Sequence, residues 1–151
     1  MLSDIDRRIL RQWQADPMCP PAELAERAQL SVGQLTRRIA RMREAGAVLG
    51  VGAGLNWALL GYTAKVSLRV TLDKTVPRAF DAFIAAAREI PEVLEIQTFL
   101  GRVDVRLAVI ARDMAHYQDL YRNQILALPH IADIEALMHV AEVKSEDALP
   151  L

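Results

Sequence analysis

From Tyr62 to Asp73 the chain alternates without a break, with Tyr62, Ala64, Val66, Leu68, Val70 and Leu72 on one side and Thr63, Lys65, Ser67, Arg69, Thr71 and Asp73 on the other. A period of two is incompatible with a helix and specifies a strand with one buried and one polar face. Downstream the period switches repeatedly. Val76, Ala79, Phe80, Phe83, Ile84 and Ala87 recur at helical spacing, and two strands follow over about 93–100 and 103–110, joined at Gly101-Arg102. A second amphipathic helix carries Met114, Tyr117, Leu120, Tyr121 and Ile125, and a last strand spans about 133–143. Strand, helix, strand, strand, helix, strand is the ferredoxin-like βαββαβ plan. An internal repeat agrees with it: Ile90-Pro91-Glu92-Val93-Leu94-Glu95-Ile96 and Leu128-Pro129-His130-Ile131-Ala132-Asp133-Ile134 each leave a helix and enter a strand. Both helices then cover one sheet face. The other holds Phe99, Ala108, Ile110, Leu137 and Ala141 among polar neighbours, so a homodimer through this domain is expected.

Upstream of Tyr62 the periodicity is helical. Ser3 and Asp6 form a capping signature, after which Ile5, Ile9, Leu10 and Trp13 repeat to about Gln14. Asp16-Pro17-Met18-Cys19-Pro20-Pro21 breaks that helix, Pro21 suits the first turn of a second one ending near Ala28, and Gln29-Leu30 turns into a third. In the third, Val32, Leu35, Ile39 and Met42 fall on one stripe while Gln34, Arg37 and Arg41 point the opposite way. Ser31 caps its start, with Gln34 placed to close a capping box. Arginines crowd the interval from Arg27 to Arg43, which contains no acidic residue. Three short helices with a tight second turn make a helix-turn-helix whose third helix enters the major groove. Gln34 and Arg37 are then expected at base edges, Arg38 and Arg41 at phosphates, and Ser31 at the helix start. The competing reading is an ordinary solvated surface helix.

Gly46 is placed to end the third helix in a left-handed cap. The glycine-rich run Val48 to Gly54 lacks the Gly-Lys-Ser/Thr ending of a phosphate loop, so a wing or linker strand is expected, followed by a helical turn over Asn56 to Leu60 closed by Gly61. The organisation is therefore α+β: a (winged) helix-turn-helix domain over 1–47, a hinge strand over 48–61 and a ferredoxin-like domain over 62–151. Charge divides the same way. Residues 1–50 carry a net charge of +2 and the remainder −3, giving a basic front end suited to double-stranded DNA and an acidic back end. The single Cys19 admits no intrachain disulfide, no apolar run reaches membrane-spanning length, and the start is charged from Asp4, so a cytoplasmic, membrane-free protein is expected. No catalytic triad, metal-ligand spacing or cofactor motif stands out.

Taken together the whole chain resembles the Lrp/AsnC, or feast/famine, transcriptional regulators. The likeness rests on Asp4-Ile5-Asp6-Arg7-Arg8-Ile9-Leu10, Glu23-Leu24-Ala25 through Leu30-Ser31, Arg38-Ile39 with Glu44-Ala45-Gly46, Gly101-x-x-Asp104, and Glu142-Val143-Lys144 with Ala148-Leu149-Pro150-Leu151. The resemblance implies DNA-binding dimers, often assembled into octamers and controlled by an amino acid or related effector. It places the effector at Gly101, Arg102 and Asp104, with Ala136 where the family commonly has a hydroxyl residue, and it puts Gln29 where the turn usually has glycine. Asp104 would pair with an α-amino group and Arg102 with a carboxylate. Two alternatives accompany this reading. One is a sirohaem decarboxylase-like enzyme, for which His116, His130 and His139 are the only histidines; the other is a nucleoid-type architectural DNA binder.

Overall fold

The computed structural model describes residues 2–145 and 148–151. They form two compact units, Met1–Gly54 with Lys144–Leu151, and Leu55–Val143. The tail, expected with the second domain, packs with the first: the Leu149 N–H donates to Gln14 Oε1 at 2.7 Å and Arg11 Nε donates to the Leu151 carbonyl at 2.6 Å.

The first unit holds α1 (Asp4–Ala15), α2 (Pro21–Arg27) and α3 (Val32–Glu44). Ile9, Leu24, Ala25, Ala28, Leu35 and Met42 make its core, with Ile5, Leu10, Trp13 and Ile39 packed around them. Val32, expected on the packing stripe, is instead exposed, because the first turn of α3 overhangs the core. Two helix ends close identically. After α3 the Gly46 N–H donates to the Arg43 carbonyl and the Ala47 N–H to that of Met42, with Gly46 at φ 71. After α2 the Gln29 N–H donates to the Glu26 carbonyl and the Leu30 N–H to that of Ala25, with Gln29 at φ 57. Both are Schellman closures, whose pivotal residue must be left-handed. A side chain there costs about 1 kcal/mol, and Gln29 recovers only a long 3.4 Å contact from Arg8 Nη1. Gln29→Gly is therefore expected to stabilise this unit by about 0.5–1 kcal/mol, read as a higher midpoint in thermal unfolding.

Among the described residues no strand lies between α3 and Ala64, so neither the expected wing nor the hinge strand is present. Residues 48–56 form no regular element; Trp57 to Gly61 make a turn, with Gly61 at φ 88.

The second unit contains β1 (Ala64–Leu72), α4 (Ala79–Ala87), β2 (Val93–Thr98), β3 (Val105–Ala111), α5 (Met114–Leu120) and β4 (Ile131–Met138). A π-helical turn, Tyr121–Ile125, prolongs α5. The antiparallel sheet has the order β2-β3-β1-β4, as the ferredoxin-like plan requires. Val66, Leu68 and Val70 of β1 and Val105, Leu107 and Val109 of β3 meet Phe83, Ala87, Tyr117, Leu120 and Ile125 in one core. Both repeat segments anchor here through buried Ile90 and Leu128.

Several boundaries differ from expectation. Tyr62 precedes β1 and is exposed, and Phe80 turns out of the core although it fits the helical stripe. β4 starts and ends earlier than 133–143, since His130 at φ 64 turns the chain sooner. The open sheet face consequently lacks Phe99 and Ala141, which lie outside the strands. It carries Ala108 and Leu137 beside a polar lattice in which Arg106 donates to Ser67 Oγ and Gln97 Oε1, each at 2.7 Å, whereas Ile110, expected to be bare on this face, is buried.

Candidate nucleic-acid interface and ligand turn

The presentation of α3 begins with its caps. Ser31 Oγ accepts from the Gln34 N–H at 3.3 Å while Gln34 Oε1 accepts from the Ser31 N–H at 3.0 Å, the reciprocal capping box. Leu35 and Met42 are buried underneath, and a Schellman closure fixes the far end. Between these anchors Gln34, Arg37 and Arg41 are exposed, as are the small Gly33 and Ala40 beside them. One face of a thirteen-residue rod, about 20 Å long at 1.5 Å per residue, is thus cationic, low-profile and unencumbered. Chemically it can offer amide and guanidinium donors to an anionic groove. Gln34 is partly committed, because its carbonyl oxygen closes the capping box.

Arg38 is placed differently from the other arginines. Its Nη1 meets Asp6 Oδ1 at 2.8 Å and Ser3 Oγ at 3.3 Å, with side-chain exposures of 24% and 15% for Arg38 and Asp6. The expected phosphate contact is thus replaced by a bond that ties the middle of α3 to the start of α1. Periodicity alone could not show this, since it does not say which helix lies across position 38. Arg43 likewise stacks over the Trp13 ring at 5.7 Å. Cys19 is buried, and burial pushes its thiol up, as suits a packing residue.

In the second unit Gly101, Arg102 and Asp104 share the β2–β3 turn, as expected. Asp104 is spent on structure: its Oδ2 accepts from the Leu72 N–H at 2.8 Å, and its own N–H donates to the Val70 carbonyl at 3.0 Å. The Arg102 carbonyl accepts from Thr71 Oγ1 at 3.0 Å and its side chain is exposed. Ala136 is not brought to this turn. It pairs with Leu68 on β4, across β1 from the hairpin, and is exposed on the helix side of the sheet. Sequence reasoning passed over Lys74 and Arg78, which with Phe80 line a cleft beside Asp104. The exposure of Phe80 was the available signal, visible only once α4 was oriented. Of the histidines, His116 is half-buried, with Nδ1 accepting from the Arg112 N–H and Nε2 3.6 Å from Glu92. Among the described residues no group of three or more His, Cys, Asp or Glu is arranged to hold a metal ion, and no helix is long and apolar enough to cross a membrane.

Comparison with known proteins matches both units. Residues 2–43 fit the AsnC-type helix-turn-helix domain and residues 65–149 the Lrp/AsnC ligand binding domain. The chain is 33% identical to a proline dehydrogenase transcriptional activator of Rhodobacter capsulatus, covering 98% of this chain and 96% of that protein. It is 31% identical to the leucine-responsive regulatory protein of Salmonella typhimurium, covering 98% and 90% respectively. A Neisseria meningitidis transcriptional regulator solved as an L-Met complex superposes with a TM-score of 0.91 at 27% identity, covering 99% of this chain and 97% of that one.

Proposed function

The chain belongs to the Lrp/AsnC family of transcriptional regulators, and from that premise we propose how its residues divide the work of a sequence-specific, effector-responsive DNA binder. Arg37 reads a base edge through its planar fork, and Gln34 adds its amide donor beside it. Arg41 neutralises a phosphate and Ser31 holds the start of the helix. Arg38 acts one step removed, by fixing α3 on α1 through Asp6. The observation that carries the assignment is the exposed Gln34, Arg37 and Arg41 on a helix anchored at both ends.

Two copies join through the second unit, where Ala108 and Leu137 on the uncovered part of the sheet face supply the apolar contact, and this pairing presents two reading helices to a two-fold operator. The ligand is an amino acid, bound by the second unit. Support comes from the match to a ligand binding domain and from the L-Met complex of the structural relative.

Binding of the full chain to DNA from its own upstream region is expected to exceed binding to random duplex by at least about a thousandfold at one fixed salt concentration. Fluorescence anisotropy reads both. Equal affinities would establish an architectural binder and overturn the regulator assignment for these residues.

A further inference from the structure

We propose that Gly33 is a specificity determinant of the DNA-binding face: its missing side chain sets how deeply α3 enters the major groove, and so brings Arg37, one turn on, to its base edge. The inference rests on the sequence-specific reading above and concerns a residue that has no side-chain donor, acceptor or charge to offer.

Of the seven glycines, Gly33 alone lies inside a helix or strand. Gly46, Gly50, Gly61 and Gly101 have positive φ values, which glycine adopts at least cost, and Gly52 and Gly54 belong to the irregular stretch after α3. Gly33 is the second residue of a right-handed helix, where alanine is the better helix former. Packing does not call for a glycine either. Among the described residues, no atom beyond its chain neighbours and the helix's own backbone comes within 4 Å of where a Cβ would stand. The first unit would therefore fold at least as well with a side chain at this position, which leaves a partner outside the chain to account for the glycine.

Its place on the helix identifies that partner. Met42, buried in the core, follows nine residues later, which is about two and a half turns and hence the opposite side of the rod. Arg37 and Ala40 follow at four and seven residues, about one and two turns along the same line, and all three are exposed. The outermost line of α3 thus carries a hydrogen atom, a guanidinium and a methyl group. The match of residues 2–43 to a helix-turn-helix domain supplies the DNA independently of that geometry, and in such domains the early residues of the last helix are the ones at base edges. A helix with its side chains is about 10–12 Å across and the major groove about 12 Å wide. The fit is tight, so depth is set by the bulk on the outermost line. With only hydrogen at Gly33 the first turn closes on the bases and the Arg37 fork reaches its acceptors; a methyl group there holds the turn off, at distances where hydrogen bonds fail.

The test is fluorescence anisotropy of the full chain and of its Gly33→Ala and Gly33→Leu variants, on duplex from its own upstream region and on random duplex. Gly33→Ala is expected to weaken binding to the upstream duplex by about five- to a hundredfold, the worth of one base contact. Random-duplex binding should fall by less than about twofold, with an unchanged salt slope, because no phosphate contact is lost. Gly33→Leu should lose more. Both variants should melt no lower than the parent, and Gly33→Ala about 1–5 °C higher, so that the binding loss cannot be ascribed to unfolding. Upstream-duplex binding that survives Gly33→Leu, or that falls no more than random-duplex binding, overturns the role of Gly33, while a parent that still prefers the upstream duplex leaves the regulator reading standing. A lowered melting temperature also overturns it, by showing that the fold itself needs the glycine. If the parent binds both duplexes equally, the sequence-specific reading falls, and Gly33 as its determinant falls with it.

Discussion

Replacing Arg37 and Arg41 together by alanine is expected to cost about 3–5 kcal/mol of specific DNA affinity per reading helix, a hundred- to several-thousandfold loss. Thermal stability should stay within about 0.5 kcal/mol of the parent. The asymmetry follows from exposure. Neither side chain packs in the first unit's core, so removing them takes nothing from the fold. The single substitutions separate the two roles. Arg41→Ala should weaken binding to every sequence alike and flatten the logarithmic salt dependence by about one unit, because one fewer phosphate counterion is displaced. An unchanged slope refutes the phosphate role. Arg37→Ala should cost about 1–3 kcal/mol at one base position and little on random duplex. Equal weakening on both would contradict base reading. Anisotropy titrations over a salt series, on operator and scrambled duplexes, measure all of these.

Local rules carried most of the fold. Both capping boxes and the strand β1 follow from short-range pattern, because each is decided by neighbours within four residues, while the left-handed Gln29 is implied by the family resemblance. What pattern missed was decided by packing partners distant in sequence. Val32 and Phe80 fit a helical stripe, yet whether a stripe position meets the core depends on where the opposing element ends. Arg38 looked like Arg37 and Arg41 until α1 was laid across it, 32 residues earlier. The candidate ligand site shows the same division. Gly101 to Asp104 was legible as a turn, but Lys74 and Arg78 join Asp104 only through the pairing of β1 with β3, and Ala136 leaves it through the pairing of β1 with β4.

Asp6→Ala is expected to destabilise the first unit by about 2–3 kcal/mol, measured by denaturant unfolding. Asp6 Oδ2 accepts from both the Ser3 N–H at 3.0 Å and the Ser3 hydroxyl at 2.6 Å, closing the cap of α1, while Oδ1 holds Arg38. Alanine therefore loosens a helix end worth about 1 kcal/mol and leaves the mostly buried Arg38 guanidinium without its carboxylate. The pH dependence has a definite sign. Burial alone would raise the Asp6 pKa, but the Ser3 hydrogen bonds and the Arg38 charge outweigh it and hold the carboxyl below its ordinary value of 3.8. A carboxyl depressed in the folded state stabilises fully above the unfolded pKa and loses that contribution as pH falls through the folded one. The gap in stability between the parent and Asp6→Ala should therefore be constant near neutrality and narrow below about pH 4. A gap that persists unchanged to pH 2 would show that packing, and not the charged bonds, makes Asp6 necessary. Asp6→Asn retains one acceptor without the charge, so it should fall between the two proteins near neutrality and approach the parent as Asp6 protonates. Because Asp6 joins α1 to the middle of α3, the weakened variant should bind operator normally when cold and lose it on warming, in step with its unfolding.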